Sequence, residues 1–357
     1  MERVKLELNL DNQLYAPGDH VTGTVRLHAP YDVPADRLTA HFSGKATVWF
    51  QEYEKTQTYT ASKEMADEEL VLWRFVPAGQ LLENSAEENS AVIPTPCVYR
   101  FRFLVPHSAA TSFSYPSSPG HVRYFVKASL SLFGDVLYTA EQQVSIVAPN
   151  RVLRSVASRP KNHQKTFSFN KGRSVEVECR LEKAYFTSVE KVPMEIRIQN
   201  RWKQSLKYVH INVVRRLDCQ GAHEKYEEVT LKKVYNHDCT GVGLPAHLTK
   251  IPVNDSVTFR PDLNLPALTP NFAVDDIMRL EYFIKIAIGR AHNFVIAEMM
   301  IPIQIVSEVV DKDLNANEDS VSDKENVDLD APLIDFSTPT NHYNPFLSPL
   351  ATVDLLA

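Results

Sequence analysis

Four residues near the middle of the chain have the types and spacing of a metal site. Cys219 and His223 flank three residues, and His237 and Cys239 follow with one residue between them. A zinc ion held by two thiolates and two imidazoles needs every donor atom within about 2.3 Å of the metal. The run between the pairs, Tyr226 to Tyr235, reads as a strand, and ten extended residues span roughly 33 Å. One ion bridges that distance only if the segment folds back, so no metal is expected. The chain also lacks a Gly-x-Ser-x-Gly elbow, a phosphate loop and a dinucleotide glycine fingerprint. Neither His163 nor His342 has an evident catalytic partner in the sequence. The expectation is a binding protein without a cofactor, not an enzyme.

A different chemistry is written into the C-terminal residues. Asn344-Pro345-Phe346 is the tripeptide that EH domains of endocytic proteins recognise. Asn344 can hydrogen-bond its own following backbone, Pro345 fixes φ at the second turn position, and Phe346 is thereby thrust outward. A preformed turn loses less entropy on binding, so one aromatic anchor suffices for reversible capture. Leu333-Ile334-Asp335-Phe336 resembles a clathrin box, with Ser337 where an acid normally follows. Phosphorylation of Ser337, or of Thr338 before Pro339, would supply that charge. Asp354-Leu355-Leu356 resembles the Asp-Leu-Leu signal of coat-binding tails, although Ala351 stands where an acidic dileucine wants an acid.

These peptides need a body to carry them, and charge separates the two. The chain has 357 residues and a net charge of −6. From Glu308 onward eleven acids and two bases leave −9, so the first 307 residues carry 36 bases against 33 acids. A mildly basic body with an acidic tail argues against whole-chain nucleic-acid binding. Four cysteines are too few and too scattered for a disulfide framework. MERVKLELNL has no uninterrupted apolar stretch, and no run approaches the length of a membrane span. A cytosolic location is expected, peripheral at plasma membrane or endosomes if the tail motifs act.

The body alternates apolar and polar residues as strands do. Val4, Leu6, Leu8 and Leu10 give way to the turn Ala16-Pro17-Gly18-Asp19 and then to Val21, Val25 and Leu27. Later short runs, Val122 to Leu130, Val175 to Leu181, Tyr282 to Ile288 and Ile301 to Val306, are β-branched or aromatic. Helical signals are scarce; Ser62 to Trp73 is the best candidate, as a helix or a loop. The sequence also repeats itself. An offset of 171 maps Val4, Leu6, Leu8 and Leu10 onto Val175, Val177, Cys179 and Leu181, and Tyr15, Asp19, Val21 and Val25 onto Phe186, Glu190, Val192 and Ile196. Near the end of each half, Arg123–Leu130 aligns with Glu281–Ile288 at an offset of 158. The expected architecture is all-β: two tandem β-sandwiches, residues 1–148 and 165–308, joined by a basic linker at 149–164 and followed by a disordered acidic tail, 309–357.

The stretch Arg151 to Arg173 holds seven bases and no acid: Arg151, Arg154, Arg159, Lys161, Lys165, Lys171 and Arg173. It reads either as a solvated hinge or as a contact for anionic lipid headgroups or phosphorylated cargo tails.

Three segments in order give the chain a family resemblance. Leu14–Leu27 (LYAPGDHVTGTVRL), Tyr99–Leu130 (YRFRFLVPHSAATSFSYPSSPGHVRYFVKASL) and Leu263–Ile286 are similar to the arrestin domain-containing proteins, the α-arrestins. The resemblance covers about residues 1–308. It implies two hinged arrestin-type sandwiches in a cytosolic adaptor for membrane-protein sorting. With the tail motifs, the chain is expected to link membrane-protein cargo to endocytic or endosomal machinery, Leu333–Phe336 and Asp354–Leu356 adding clathrin or its adaptors as partners. Many members recruit ubiquitin ligases by presenting Pro-Pro-x-Tyr to WW domains. This chain has no Pro-Pro pair, so that partner is not carried over. An arrestin-fold signalling scaffold and a retromer-type coat subunit are the alternative readings.

Overall fold

The computed structural model describes residues 4–52, 57–75 and 91–311. Its first half contains β1 (Lys5–Leu10), β2 (Leu14–Tyr15), β3 (His20–His28), β4 (Val33–Pro34), β5 (Arg37–Glu52), β6 (Gln57–Arg74), β7 (Val92–Ile93), β8 (Cys97–Leu104), β9 (Gly120–Leu132) and β10 (Asp135–Ile146). The second contains β11 (Arg151–Leu153), a single helical turn α1 (Arg154–Ala157), β12 (Lys161–Phe169), β13 (Arg173–Leu181), β14 (Tyr185–Phe186), β15 (Met194–Arg201), β16 (Tyr208–His223), β17 (Thr230–Gly243), β18 (Asp255–Phe259), β19 (Phe272–Val274), β20 (Met278–Ala291), β21 (Phe294–Ile305) and β22 (Glu308–Val310). The chain is therefore all-β, as expected. No helix among the described residues is long and apolar enough to cross a membrane.

Each half is a sandwich of two sheets, and the halves share one strand plan except that β12 adds an edge strand to the second. In the first, β1-β3-β8 faces β6-β5-β9-β10-β2; in the second, β12-β13-β15-β18 faces β17-β16-β20-β21-β14. The short strands β2 and β14 both pair in parallel with the last long strand of their half. Alternation produces the cores: Val21, Val25 and Leu27 of β3 are fully buried, and so are Phe42 of β5 and Tyr124 of β9. Phe42 meets Phe103 of the facing sheet at 5.8 Å and Tyr124 at 6.2 Å, which closes the sandwich. Burying each such ring contributes about 1.5–3 kcal/mol.

The sequence repeat is realised in detail at the first turn of each half. Gly18 adopts φ +89°, and Val189, its counterpart 171 positions on, also lies at positive φ, +60°. Asp19 accepts a hydrogen bond from the amide of Ala16 (2.7 Å), and Glu190 accepts one from Thr187 (2.9 Å). The carboxylate thus closes the same four-residue turn twice.

Ser62–Trp73, expected as helix or loop, is instead the middle of β6, which pairs with β5 along its whole length. Two bulges explain the misreading. Leu72 and Met65 are extra residues where the register shifts between Leu38 and Thr39 and between Gly44 and Lys45. Each flips the inward parity, so Met65 and Ala66 are both buried and the period of two disappears from the sequence.

The large sheets of the two halves join. Tyr59 and Thr60 of β6 pair with His223 and Ala222 of β16, and the amide of Glu224 donates to the carbonyl of Thr58 at 3.0 Å. A single hydrogen-bonded sheet therefore runs through both sandwiches. The basic stretch also has structure: β11 pairs in parallel with β22, and β12 is the edge strand beside β13.

Candidate functional site

The seam between the sandwiches is built by the segment leading into β9. Tyr124, buried in the core, donates its hydroxyl to the carbonyl of Ala110 at 2.8 Å, and Phe113 makes a two-way backbone bridge with Val122. These contacts fix the segment so that Phe113 and Tyr115 face the second half. Phe113 meets Phe272 at 5.6 Å. The Arg215 guanidinium of β16 lies 3.6 Å from the centre of the Tyr115 ring and 5.8 Å from that of Phe113. Tyr115 Oη is 2.7 Å from Nε2 of His237 on β17. Burial, reinforced by the Arg215 charge, holds the His237 pKa below the ordinary imidazole value, against the smaller pull of Asp238. A neutral ring can accept the tyrosine O–H.

Further contacts extend the clasp. Lys63 pairs with Asp275 at 2.5 Å, and Lys233 donates to the carbonyl of Gln51 at 3.1 Å. A Cβ on Gly120 would sit 2.5 Å from Sδ of Met278, so β9 starts where only glycine fits without displacing that side chain. Gly120 and Met278 each open the equivalent strand of their half, and Phe113 and Phe272 each pair with its third residue. The repeat thus meets itself across the seam. The cavity beside the clasp measures about 40 Å³, room for a water but no ligand. Replacing Arg215 by alanine is expected to cost about 1–2 kcal/mol, the range of a partly desolvated cation–π contact. Hydrogen exchange should then quicken at residues 113–119 while β13 and β15 stay protected.

A second concave feature among the described residues, with ligand chemistry, lies on the outer face of β1-β3-β8. Arg102 stands opposite Thr22, Arg100 opposite Thr24, and Arg26 opposite Val98 and Glu7. Side chains alternate, so Arg26, Arg100 and Arg102 share the outward face with the hydroxyls of Thr22 and Thr24. Gly23, with the inward parity of Val21 and Val25, lets the strands close up: a Cβ would lie 2.3 Å from the carbonyl oxygen of Asn9 and 2.6 Å from the ring of the buried Phe101. The depression beside Thr22, Thr24, Arg100 and Arg102 has a volume of about 360 Å³, with Asp11 at its edge. Arg102 also lies 3.0 Å from the ring of His20. Glu7 is held by Lys5, whose hydrogen bond and charge lower its pKa. Guanidinium groups beside hydroxyls suit a carboxylate or phosphate, which they can grip with charge-assisted hydrogen bonds.

The seven bases of the Arg151–Arg173 stretch do not form one patch. Arg151 pairs with Glu308 at 3.1 Å, and Arg154 holds Asp311 at 2.5 Å. Lys161 and Lys165 lie on β12 with His163 between them, Lys165 stacking 5.1 Å from the Phe167 ring. Arg159 and Lys171 are exposed beyond either end of that strand, and Arg173 is half-buried at the start of β13. The strand alone, Lys161 to Phe169, spans about 26 Å, with Lys171 in the turn beyond it. Lysines on an edge strand discourage further strands from pairing there.

The Cys/His set is corrected in its premise. Tyr226–Tyr235 is extended only from Thr230: the chain turns at Tyr226–Val229, and β17 folds back on β16. The register then places Cys219 opposite Lys233 and His237 opposite Arg215, about 13 Å apart along the strands. Cys219 is buried, and the Nδ1 of His223 takes the amides of Lys225 and Tyr226. Among the described residues no three His, Cys, Asp or Glu side chains are grouped to hold a metal. Asn344–Phe346, Leu333–Phe336 and Asp354–Leu356 lie outside the described residues. Sequence reasoning missed the seam and the arginine face. The latter had a signal in Tyr99–Leu104 (YRFRFL), where phenylalanine and arginine alternate.

Comparison with known proteins agrees with the geometry. Residues 4–151 match the model of the arrestin (or S-antigen) N-terminal domain, and residues 171–308 match that of the C-terminal domain. Protein ttm-2 of Caenorhabditis elegans is 32% identical over 330 residues, covering 86% of this chain and 90% of its own length. With both domains present in order and each sandwich built on the same strand plan, the chain belongs to the arrestin domain-containing protein family.

Proposed function

We propose that this protein is a cytosolic adaptor that couples membrane-protein cargo to endocytic or endosomal sorting machinery. The observation that carries the proposal is the outward face of Arg26, Arg100 and Arg102 with Thr22 and Thr24, which suits an acidic or phosphorylated cargo tail. Asn344-Pro345-Phe346 supplies the other end of the link by docking on EH domains, with Leu333–Phe336 and Asp354–Leu356 as contacts for clathrin or its adaptors. The joined sheet and the Tyr115–Arg215–His237 clasp hold the two sandwiches in one frame between these ends. Binding, not catalysis, is the activity.

The test is capture of EH-domain proteins by the full-length chain. Wild type should retain them, and Phe346→Ala should weaken capture by about tenfold or more, as removal of a single aromatic anchor does. Equal capture by both would remove the endocytic hook. Stable co-purification of the sandwiches with defined subunits would instead assign the chain to a retromer-type coat.

A further inference from the structure

The hairpin joining β9 to β10 lies at the pole of the first sandwich opposite the seam. β9 begins at Gly120, against Met278, and reaches Leu132 at its far end. Leu132 pairs with Asp135, so Phe133 and Gly134 form a two-residue loop. Their φ angles are +52° and +91°. Positive φ at both central residues marks a type I′ turn, for which Asn-Gly is the natural pair. Phenylalanine in this conformation is strained, and Phe133 leaves 85% of its surface exposed. Neither stability nor solubility gains from that choice.

The neighbours share the character of the apex. Val136 is 59% exposed and Leu137 42%, with Tyr138 following at 36%. Leu137 is the extra residue of a bulge between Val136 and Tyr138, a device that re-aims a side chain. Single exposed apolar residues are ordinary, but four within six residues around a strained apex are not. The turn backbone is braced, with the amide of Phe133 donating to Oδ2 of Asp36 at 2.8 Å. Behind the tip Arg37 stands in register with both Ser131 and Arg74. Among the described residues the acids at this pole include Asp32, Asp36, Asp135 and Glu69, the last paired with Arg37. Tyr31, 62% exposed, lies beyond the end of β3 at the same pole.

We propose that this hairpin is a membrane-inserting tip, with Phe133, Val136 and Leu137 entering the interfacial region of a lipid bilayer. A protein partner needs about 800 Å² of complementary surface from each side, more than one turn offers. A bilayer accepts a protruding apolar turn without matched shape, provided its backbone polar groups are satisfied. Arg37 and Arg74 would then lie at the depth of the headgroup phosphates, where cations are favoured. The tip goes beyond the adaptor reading and acts whichever segment recruits the sorting machinery.

Flotation of the full-length chain with phosphatidylcholine vesicles, with and without phosphatidylserine, tests it. Wild type should float with the vesicles, and Phe133→Asn should bind about tenfold more weakly from loss of one apolar side chain. The same variant should hold or raise Tm, because asparagine suits the turn. Phe133→Trp should keep binding, with a blue shift of its emission on vesicle addition. Absence of wild-type flotation, or equal flotation of Phe133→Asn, overturns the proposal. So does loss of binding when only Arg159, Lys161, Lys165 and Lys171 are neutralised while the hairpin is intact, which assigns the contact to the basic stretch. A wild-type dimer that Phe133→Asn converts to monomer overturns it in favour of self-association.

Discussion

Gly44→Val is expected to destabilise the first sandwich by about 3 kcal/mol, from overpacking together with loss of a buried hydrogen bond. A Cβ at residue 44 would lie 2.2 Å and 2.4 Å from two ring carbons of Tyr124. Tyr124 is fully buried between the sheets and has no room to retreat. Burial already pushes its phenol pKa far above the ordinary value, so the hydroxyl serves only as a neutral donor, to Ala110. Displacing the ring would release Ala110 and, with it, the segment that presents Phe113 and Tyr115 to the second half. The Tm of the first sandwich should fall by roughly 6–12 °C for a unit of this size. Exchange at residues 113–119 should rise in parallel. Tyr124→Phe is the control, keeping the ring and removing only the donor, at a cost of about 1 kcal/mol. Normal thermal unfolding of Gly44→Val would show that the packing around Tyr124 does not govern the seam.

The second half carries the same device. Tyr282 lies 158 positions after Tyr124 and donates its hydroxyl to the carbonyl of Thr269 at 2.9 Å. In each half the fully buried tyrosine ties the central sheet to the segment just upstream, and Phe113 and Phe272 on those segments meet at the seam. The pairing of the halves thus follows from the duplicated motif, because both carry the same tether to the same face.

The sandwiches were legible in the sequence because burial on one face of a sheet forces a period of two. Val4–Leu10 and Val21–Leu27 show it cleanly, and their repetition at Val175–Leu181 and Val192–Ile198 fixed the plan of the second half. Ser62–Trp73 was illegible because two bulges shift the parity within twelve residues, and because Glu, Met, Ala and Leu also favour helices. The seam was illegible for a different reason. Tyr115, Arg215 and His237 meet through register and inter-sandwich packing, and no local pattern encodes distances between such remote positions. Charge counting found the bases of Arg151–Arg173 but not their partners: Glu308 and Asp311 sit more than 150 residues away and are brought close by the parallel pairing of β11 with β22. Asn344–Phe346 stands on its sequence alone.

Reversing two charges on the outer face of the first sandwich should have the largest effect on the proposed cargo contact. Arg100→Glu with Arg102→Glu is expected to weaken binding of a doubly phosphorylated acidic peptide by about 100-fold or more, since each charge-assisted hydrogen bond contributes roughly 1.5–3 kcal/mol. The low end of that range is the appropriate one, because both side chains are exposed and solvent screens them. Fluorescence polarisation at two salt concentrations measures the effect, and wild-type affinity should fall as salt rises. The fold should survive, since the neighbouring Phe101 and Phe103 carry the core contacts of β8 while the arginines point away. Arg151→Gln with Arg154→Gln supplies the contrast. Those cations are paired with Glu308 and Asp311, so their removal should leave peptide affinity within about twofold, the scale of a surface ion pair. The opposite ranking of the two double variants would move the proposed cargo site from the β1-β3-β8 face to the stretch between the sandwiches. That outcome would require Glu308 and Asp311 to release their arginines when the ligand arrives, tying cargo capture to β22, the strand from which the residues bearing Asn344–Phe346 continue.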